Sequence, residues 1–342
     1  MLNKLIRIRE TGSLVFLIAL ILGVGIKNPS FLQPTSLLNI LNDSVVFVLL
    51  SVGIAFVILT GEIDVSIGAV LGLSAAIGGT ILRDGGNLFL AIFAAILIGA
   101  FIGVFNGIGV TYLGIPSLIF TLGTNGLIRG LVYVYTKGEW VENLPAYFTN
   151  AATQRLFFKE GITYFYLFTI IAVCVIFYMT NNIRVGRYFK AIGDNMQGAA
   201  LVGIPTREVK VLSYVLCGVF AAVAGMLYSS RVGFITPIAG NGYEMKAIAA
   251  CVIGGIALTG GQGSVLGATI GATIMSSISR SLVFLGFSSD YDNTITGIIL
   301  IVIVVVTTVT QNKEIIKNKR EVLLARTSGG DTVSKIGESN NE

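Results

Sequence analysis

Glu62 and Asp64 stand in LTGEIDVSIG, residues 59–68, between two long apolar runs. Two readings fit such carboxylates. One is a site for a coupling ion or proton, the usual meaning of an acid among membrane helices. The other is structural, because an aspartate just ahead of Val65 can cap a following helix through its unpaired amides. Arg129, in LGTNGLIRGLVYVY, lies well inside a later apolar run. An ionisable group at that depth is costly and faces a cavity or a partner. Glu244 and Lys246 open the apolar segment GNGYEMKAIAACVIGG, residues 240–255. Interfacial snorkelling accounts for a lysine there, and so does a polar lining of a permeation path. Asn106 and Asn125 join Arg129 as expected lining residues by depth and polarity.

The polar stretch NNIRVGRYFKAIGDNMQGAALVGIPTREVK, residues 181–210, carries a different signal. Asp194 or Asn195 can cap a helix of about two turns from Met196 to Val202, Gly203 suits the position past its end, and Pro205 stops it. The helix displays Gln197, Ala199 and Ala200. It fits docking into another protein's groove, and equally a connector lying on a bilayer.

Other chemistry is excluded. The chain has no histidine, so His triads, His metal sites and His relays are out. No G-x-x-x-x-G-K-[ST] or G-x-G-x-x-G turn is present, and no acid, base and nucleophile stand in a catalytic arrangement. Cys174, Cys217 and Cys251 sit in apolar runs without C-x-x-C spacing and read as free thiols. No catalytic residue, metal or cofactor is expected. The net charge of +5 is too small and scattered for nucleic acid.

What must position these residues is a membrane bundle. The 342 residues are 54% hydrophobic and only 12% charged, against about 25% charged in soluble domains; the mean hydropathy is +0.84. Spanning helices need about 20 apolar residues. Ten runs qualify, near 13–27, 42–60, 64–82, 88–113, 116–136, 162–180, 211–228, 243–258, 264–285 and 294–311. No cleavage site follows the first, so it reads as a span. Basic residues gather before the first span, between the sixth and seventh, and after the last, which places those segments and both termini in the cytoplasm. The loop at 137–161, with Trp140, is expected outside. The expected fold is an all-α polytopic membrane protein of about ten helices. Residues 1–312 form the membrane domain, with the cytoplasmic loop at 181–210, and residues 313–342 a polar, disordered tail.

Glycines recur at four-residue spacing: Gly99, Gly103 and Gly107; Gly263, Gly267 and Gly271; Gly68 and Gly72. Small residues so spaced let helices approach closely. LTGEIDVSIGAVLG at 59–72 also echoes LTGGQGSVLGATIG at 258–271. An inverted repeat would put such turns on opposite sides, whereas the helix count puts both near the cytoplasm, so the echo carries little weight.

Three of these segments resemble a known family. LTGEIDVSIGAVLGLSA, GRYFKAIGDNMQGAALVGI and GYEMKAIAACVIGGIALTGGQGSVLGATIGA are similar, in order and spacing, to signature blocks of the sugar-type permease subunits of ABC importers. YTKGEWVENLPAYF and VGFITPIAGNGYEMKAIAACVIGG look most like permeases of autoinducer-2 import, ahead of ribose, xylose and rhamnose permeases. The resemblance implies a multi-pass prokaryotic cell-membrane subunit, in the lipid bilayer, working by alternating access. It implies a second permease subunit, a different chain as in autoinducer-2 systems, with a homodimer as the alternative. Cytoplasmic ATPase subunits and an extracytoplasmic substrate-binding protein complete the assembly. The helix with Asp194, Asn195, Gln197, Ala199, Ala200 and Gly203 would then couple to the ATPase. Asp64 matches the shared core. Many relatives have glycine at the position of Glu62, which therefore inherits no role. The rival expectation is an ion- or proton-coupled transporter using Glu62 and Asp64 without an ATPase.

Overall fold

Inside a bilayer each backbone N–H and C=O needs a partner within the protein, so a spanning chain folds into helices and breaks them only where side chains or a second backbone take over. The computed structural model describes residues 9–156, 161–288, 291–302 and 305. The chain divides into two units, Met1–Thr296 and Gly297–Glu342; the packing below belongs to the first. The tail at 313–342 lies outside the described residues.

The helices are α1 (Arg9–Lys27), α2 (Pro34–Leu59), α3 (Ile67–Arg83), α4 (Leu88–Thr111), α5 (Ser117–Thr136), α6 (Ala146–Ala151) and α7 (Tyr164–Asn182). Then come α8 (Arg184–Asp194), α9 (Met196–Leu201), α10 (Thr206–Val232), α11 (Tyr243–Ile253) and α12 (Val265–Phe284), and a further apolar helix, α13 (Tyr291–Val302). A 3-10 turn, Pro29–Leu32, joins α1 to α2. Among the described residues the extended backbone forms only isolated bridges, Val141 with Ile235 and Arg155 with Thr163. Among the described residues six helices, α1, α2, α4, α5, α7 and α10, are long and apolar enough to cross a membrane. The other four expected spans coincide with α3, α11, α12 and α13, which are shorter or richer in serine, threonine and glycine. The fold is thus an all-helical polytopic membrane protein.

Lipid removes the hydrophobic drive between helices, so close backbone approach replaces it. The central helix α2 is walled by α10, α12 and α11, and α10 also packs along α3 and α4. A Cβ on Gly99 would overlap Gly218 O, one on Gly103 would overlap Tyr214 O, and one on Gly107 would lie 2.9 Å from Val211 Cα. This glycine ridge therefore seats α4 on α10. Gly267 and Gly271 likewise meet Gly254 O and Ala250 O of α11. Gly263 departs from the expected ridge: it precedes α12, with φ +129°.

Several expected boundaries move. α2 begins at Pro34, eight residues before the apolar run, and its polar residues Asn42 and Asp43 find partners in Thr163 and Arg280. The expected eighth span shrinks to the 11 residues of α11, since Gly254 and Gly255 end it and residues 254–264 run as turns. The loop at 181–210 holds α8 as well as the short helix read from its caps.

Candidate functional site

Two helices break at one end of the bundle, and the breaks touch. α2 ends at Leu59 and α3 begins only at Ile67, leaving residues 60–66 irregular. Their backbone groups are satisfied by one face of α5, at four-residue spacing. Ser117 Oγ accepts from Ile63 N (3.3 Å), Thr121 Oγ1 accepts from Val65 N (3.2 Å), and Asn125 Nδ2 donates to Val65 O (3.2 Å). The next residue of that row, Arg129, donates from Nη1 to Ala239 O at 2.5 Å, in the turn between α10 and α11. No carboxylate pairs with it within salt-bridge distance among the described residues.

Asp64 is 2% exposed. Its Oδ1 accepts from Ser66 N at 2.8 Å and from Ser66 Oγ at 2.6 Å. Asn106 of α4 donates to Ser66 Oγ at 2.8 Å and, more distantly, to Asp64 Oδ2 at 3.5 Å. Asp64 therefore does not reach the amides of α3 as expected: it closes an Asx turn onto Ser66, the residue directly ahead of that helix. Asp64, Ser66 and Asn106 form one buried network, while the half-buried Asn125 holds the backbone of the same turn at Val65, with Arg129 further along that face of α5.

Glu244 opens α11 as expected, but it is 6% exposed and faces the protein: its Oε1 accepts from Gly242 N at 3.2 Å. Gly68 and Gly72 of α3 make room there, since a Cβ on Gly68 would overlap the Glu244 carboxylate and one on Gly72 would lie 2.6 Å from Ala239 O. Lys246 neither snorkels nor lines an open path. It is buried, ion-paired with Asp292 and stacked over the rings of Phe47 and Tyr243. A partner 46 residues away is invisible to a local reading of GYEMKAI.

Glu62 has a partner too: Lys210 Nζ, on the first turns of α10, at 2.6 Å. Around this pair three separate segments meet through backbone. Gly261 N donates to Leu59 O at 3.0 Å. A Cβ on Gly193 would overlap both Leu59 O and Gly261 N, and one on Gly260 would lie 2.7 Å from Gly61 N. The two echoing LTG tripeptides, 59–61 and 258–260, thus lie against each other at the same end. Gly193 lies in the last turn of α8, whose Phe189 packs edge-on against Phe56 of α2, ring centroids 5.1 Å apart.

Beyond Gly193, Asn195 caps α9 with Oδ1 accepting from Gly198 N at 2.8 Å, and Asp194 ends α8. Gly203 has φ +83°, as a residue past a helix end requires. Within α9, Ala199 turns inward, while Gln197 sits on the displayed face with Ala200 and with Leu201 and Val202, 88% and 77% exposed. A two-turn helix showing bare leucine and valine beside a rigid backbone junction suits a protein groove.

The opposite end holds a cluster that local reading missed. Asp43 of α2 is shared by Arg231 of α10 and Arg280 of α12, the latter at 2.6 Å. With Phe47, Tyr228 and Tyr243 they line a cavity of about 460 Å³. Its signal was the placement of single charges at the ends of three spans. No group of acids, cysteines or histidines fit to hold a metal occurs among the described residues.

A family profile described as branched-chain amino acid transport system / permease component matches residues 36–304. The chain is 39% identical over 86% of its length to the autoinducer 2 import system permease protein LsrC of Yersinia pseudotuberculosis serotype O:1b (strain IP 31758), covering 83% of that protein. It is also 39% identical to the Yersinia enterocolitica serotype O:8 / biotype 1B protein of the same name, covering 81% of it. The Yersinia pestis (strain Pestoides F) protein is 38% identical, with 83% covered. No solved structure matches the chain.

Proposed function

The chain belongs to the branched-chain amino acid transport system / permease component family, and from that premise we infer that it imports autoinducer-2 as one half of a heterodimeric pathway in a prokaryotic cell membrane. Membership makes it the transmembrane permease subunit of an ATP-binding-cassette importer, not an enzyme, with ATPase and substrate-binding partners. The observation that carries the ligand is the 39% identity, sustained over 86% of the chain, to permeases named for autoinducer 2 import.

Alternating access assigns each region a task. α9, with Asn195, Gln197, Ala200 and Gly203, docks on the ATPase; Asp194 and Ala199 hold it to the bundle. Asp64, Asn106, Asn125, Arg129 and Glu244 keep the broken segments in shape beside the path. That role needs the hydrogen bonds they make and no bound ion. Nothing supports the ion-coupled alternative, because Asp64 is engaged with Ser66 and Glu62 with Lys210. Residues 1–312 form the membrane domain and 313–342 a cytoplasmic tail.

The test is uptake into proteoliposomes holding both permeases and the ATPase, with the binding protein outside. Autoinducer-2 should enter only with ATP, without competition from ribose, xylose or rhamnose. Uptake of one of those sugars in its place would overturn the ligand assignment. Uptake by this chain alone down an ion gradient would overturn the importer.

A further inference from the structure

Glu62 is the carboxylate for which the family supplies no role, and it sits where three segments distant in sequence converge. Its pair with Lys210 is 2.6 Å long and mostly enclosed, the side chains being 19% and 11% exposed. Lys210 lies one turn into α10, just past the end of α9. Glu62 stands two residues before Asp64, in the break between α2 and α3. The pair therefore bridges the turn that carries Asp64 and the helix leaving the docking loop. The same break is held from the other side by backbone alone. Gly261 N donates to Leu59 O, and Gly193 is pressed so closely on both that no Cβ fits. Gly61 and Gly260 meet the same way. Packed backbone has no soft side chain to absorb a displacement, and small shifts pass through such contacts.

We propose that Glu62 and Lys210 are positioning residues which, with the glycine junction at Leu59, Gly193 and Gly261, clasp the docking loop to both broken segments, so that a push on α9 moves residues 60–66 and 254–264 as one body. This rests on the reading of α9 as the ATPase-docking helix. The ionic pair supplies what the junction lacks, a directional tie to α10. Without it, α8 and α9 still dock, but the turn at Asp64 no longer follows.

The experiment uses the complete importer in proteoliposomes and reads ligand taken up per ATP hydrolysed. Glu62→Gln and Lys210→Met should each keep ATPase co-purification and ATP hydrolysis while the uptake ratio falls about tenfold, within the usual range of coupling between sites. The reversal pair Glu62→Lys with Lys210→Glu should return the ratio towards that of the parent. A ratio unchanged in the single variants overturns the proposal. So does a proportional fall of uptake and hydrolysis, the mark of a merely structural pair. So does a reversal pair no better than the singles. Should the single variants fail to assemble, Glu62→Cys with Lys210→Cys in a Cys174→Ser background, bridged by a short bis-maleimide, serves instead. Bridging should raise the uptake ratio above that of the unbridged protein, and a ratio that bridging leaves unchanged or lowers overturns the clasp. Ala200→Trp separates the two readings: it should abolish ATPase co-purification, and if it does not, the docking assignment fails whatever the ratio does.

Discussion

Asp64 offers a quantitative contrast between a strut and a transport group. Its carboxylate accepts from Ser66 N at 2.8 Å and Ser66 Oγ at 2.6 Å, in a site closed to solvent. Asp64→Ala leaves both donors without that acceptor. Each orphaned buried group costs about 1–3 kcal/mol, so the variant should lose about 2–6 kcal/mol. At about 2 °C per kcal/mol for a chain of this size, the Tm falls by about 4–12 °C. Asp64→Asn behaves differently. Its amide oxygen keeps both Ser66 bonds, the long contact to Asn106, 3.5 Å, becomes donor against donor, and the weak contact with the Cys217 thiol is the other one affected. Asn106 can turn its own unpartnered Oδ1 towards that amide, so the loss should stay near 1 kcal/mol, one ordinary hydrogen bond. Thermal unfolding of the detergent-solubilised permease measures the order, and proteoliposome uptake measures function. A strut predicts that Asn is close to the parent in both assays and Ala is poor in both. An Asn variant that folds as the parent does but carries no ligand would refute the reasoning, because the charge itself would then be needed.

Gly218→Leu should prevent α4 from seating on α10, since even a Cβ there overlaps Gly99 O; overpacking of this kind costs about 1–3 kcal/mol, read as a lowered Tm, and Gly123→Leu, with open space around it, serves as the neutral control. Asn195→Ala removes the α9 cap, worth about 1 kcal/mol, and should weaken ATPase co-purification while leaving the Tm of the isolated permease nearly unchanged. A maleimide should spare the buried Cys217 and Cys251 in the folded protein and label both once it is denatured; mass spectrometry of the labelled peptides decides.

Much of the bundle was legible because its signal is local. Among the described residues the apolar runs recur as helices, the tenth as far as Val302, and the caps of α9 were readable from Asn195, Gly203 and Pro205 alone. Asp64 was recognisable as a turn residue for the same reason: its partner is two positions away. Less local features escaped. α8 was missed because RVGRYFKAIGD is amphipathic and polar enough to pass for loop, and its buried face, Phe189 and Ile192, has meaning only against α2. Lys246 and Glu62 were unreadable because Asp292 and Lys210 come from other helices. Asn106, Asn125 and Arg129 were noticed for being polar at depth, but depth alone could not say that they serve backbone. The echo of LTG at 59 and 258 looked accidental under an inverted-repeat expectation. It proved to mark two tripeptides in mutual contact, which periodicity along one chain cannot reveal.

The glycine junction also bears on the order in which the protein is made. Its members are drawn from residues 59–61, from Gly193 and from residues 260–261. The first two groups leave the ribosome long before the third. Until about three quarters of the chain has been synthesised, Leu59 O lacks the amide that Gly261 donates, and Gly193 rests against an unfinished wall. Until Gly261 has emerged, the end of α8 at Gly193 therefore lacks one of the two backbone surfaces it lies against in the finished protein.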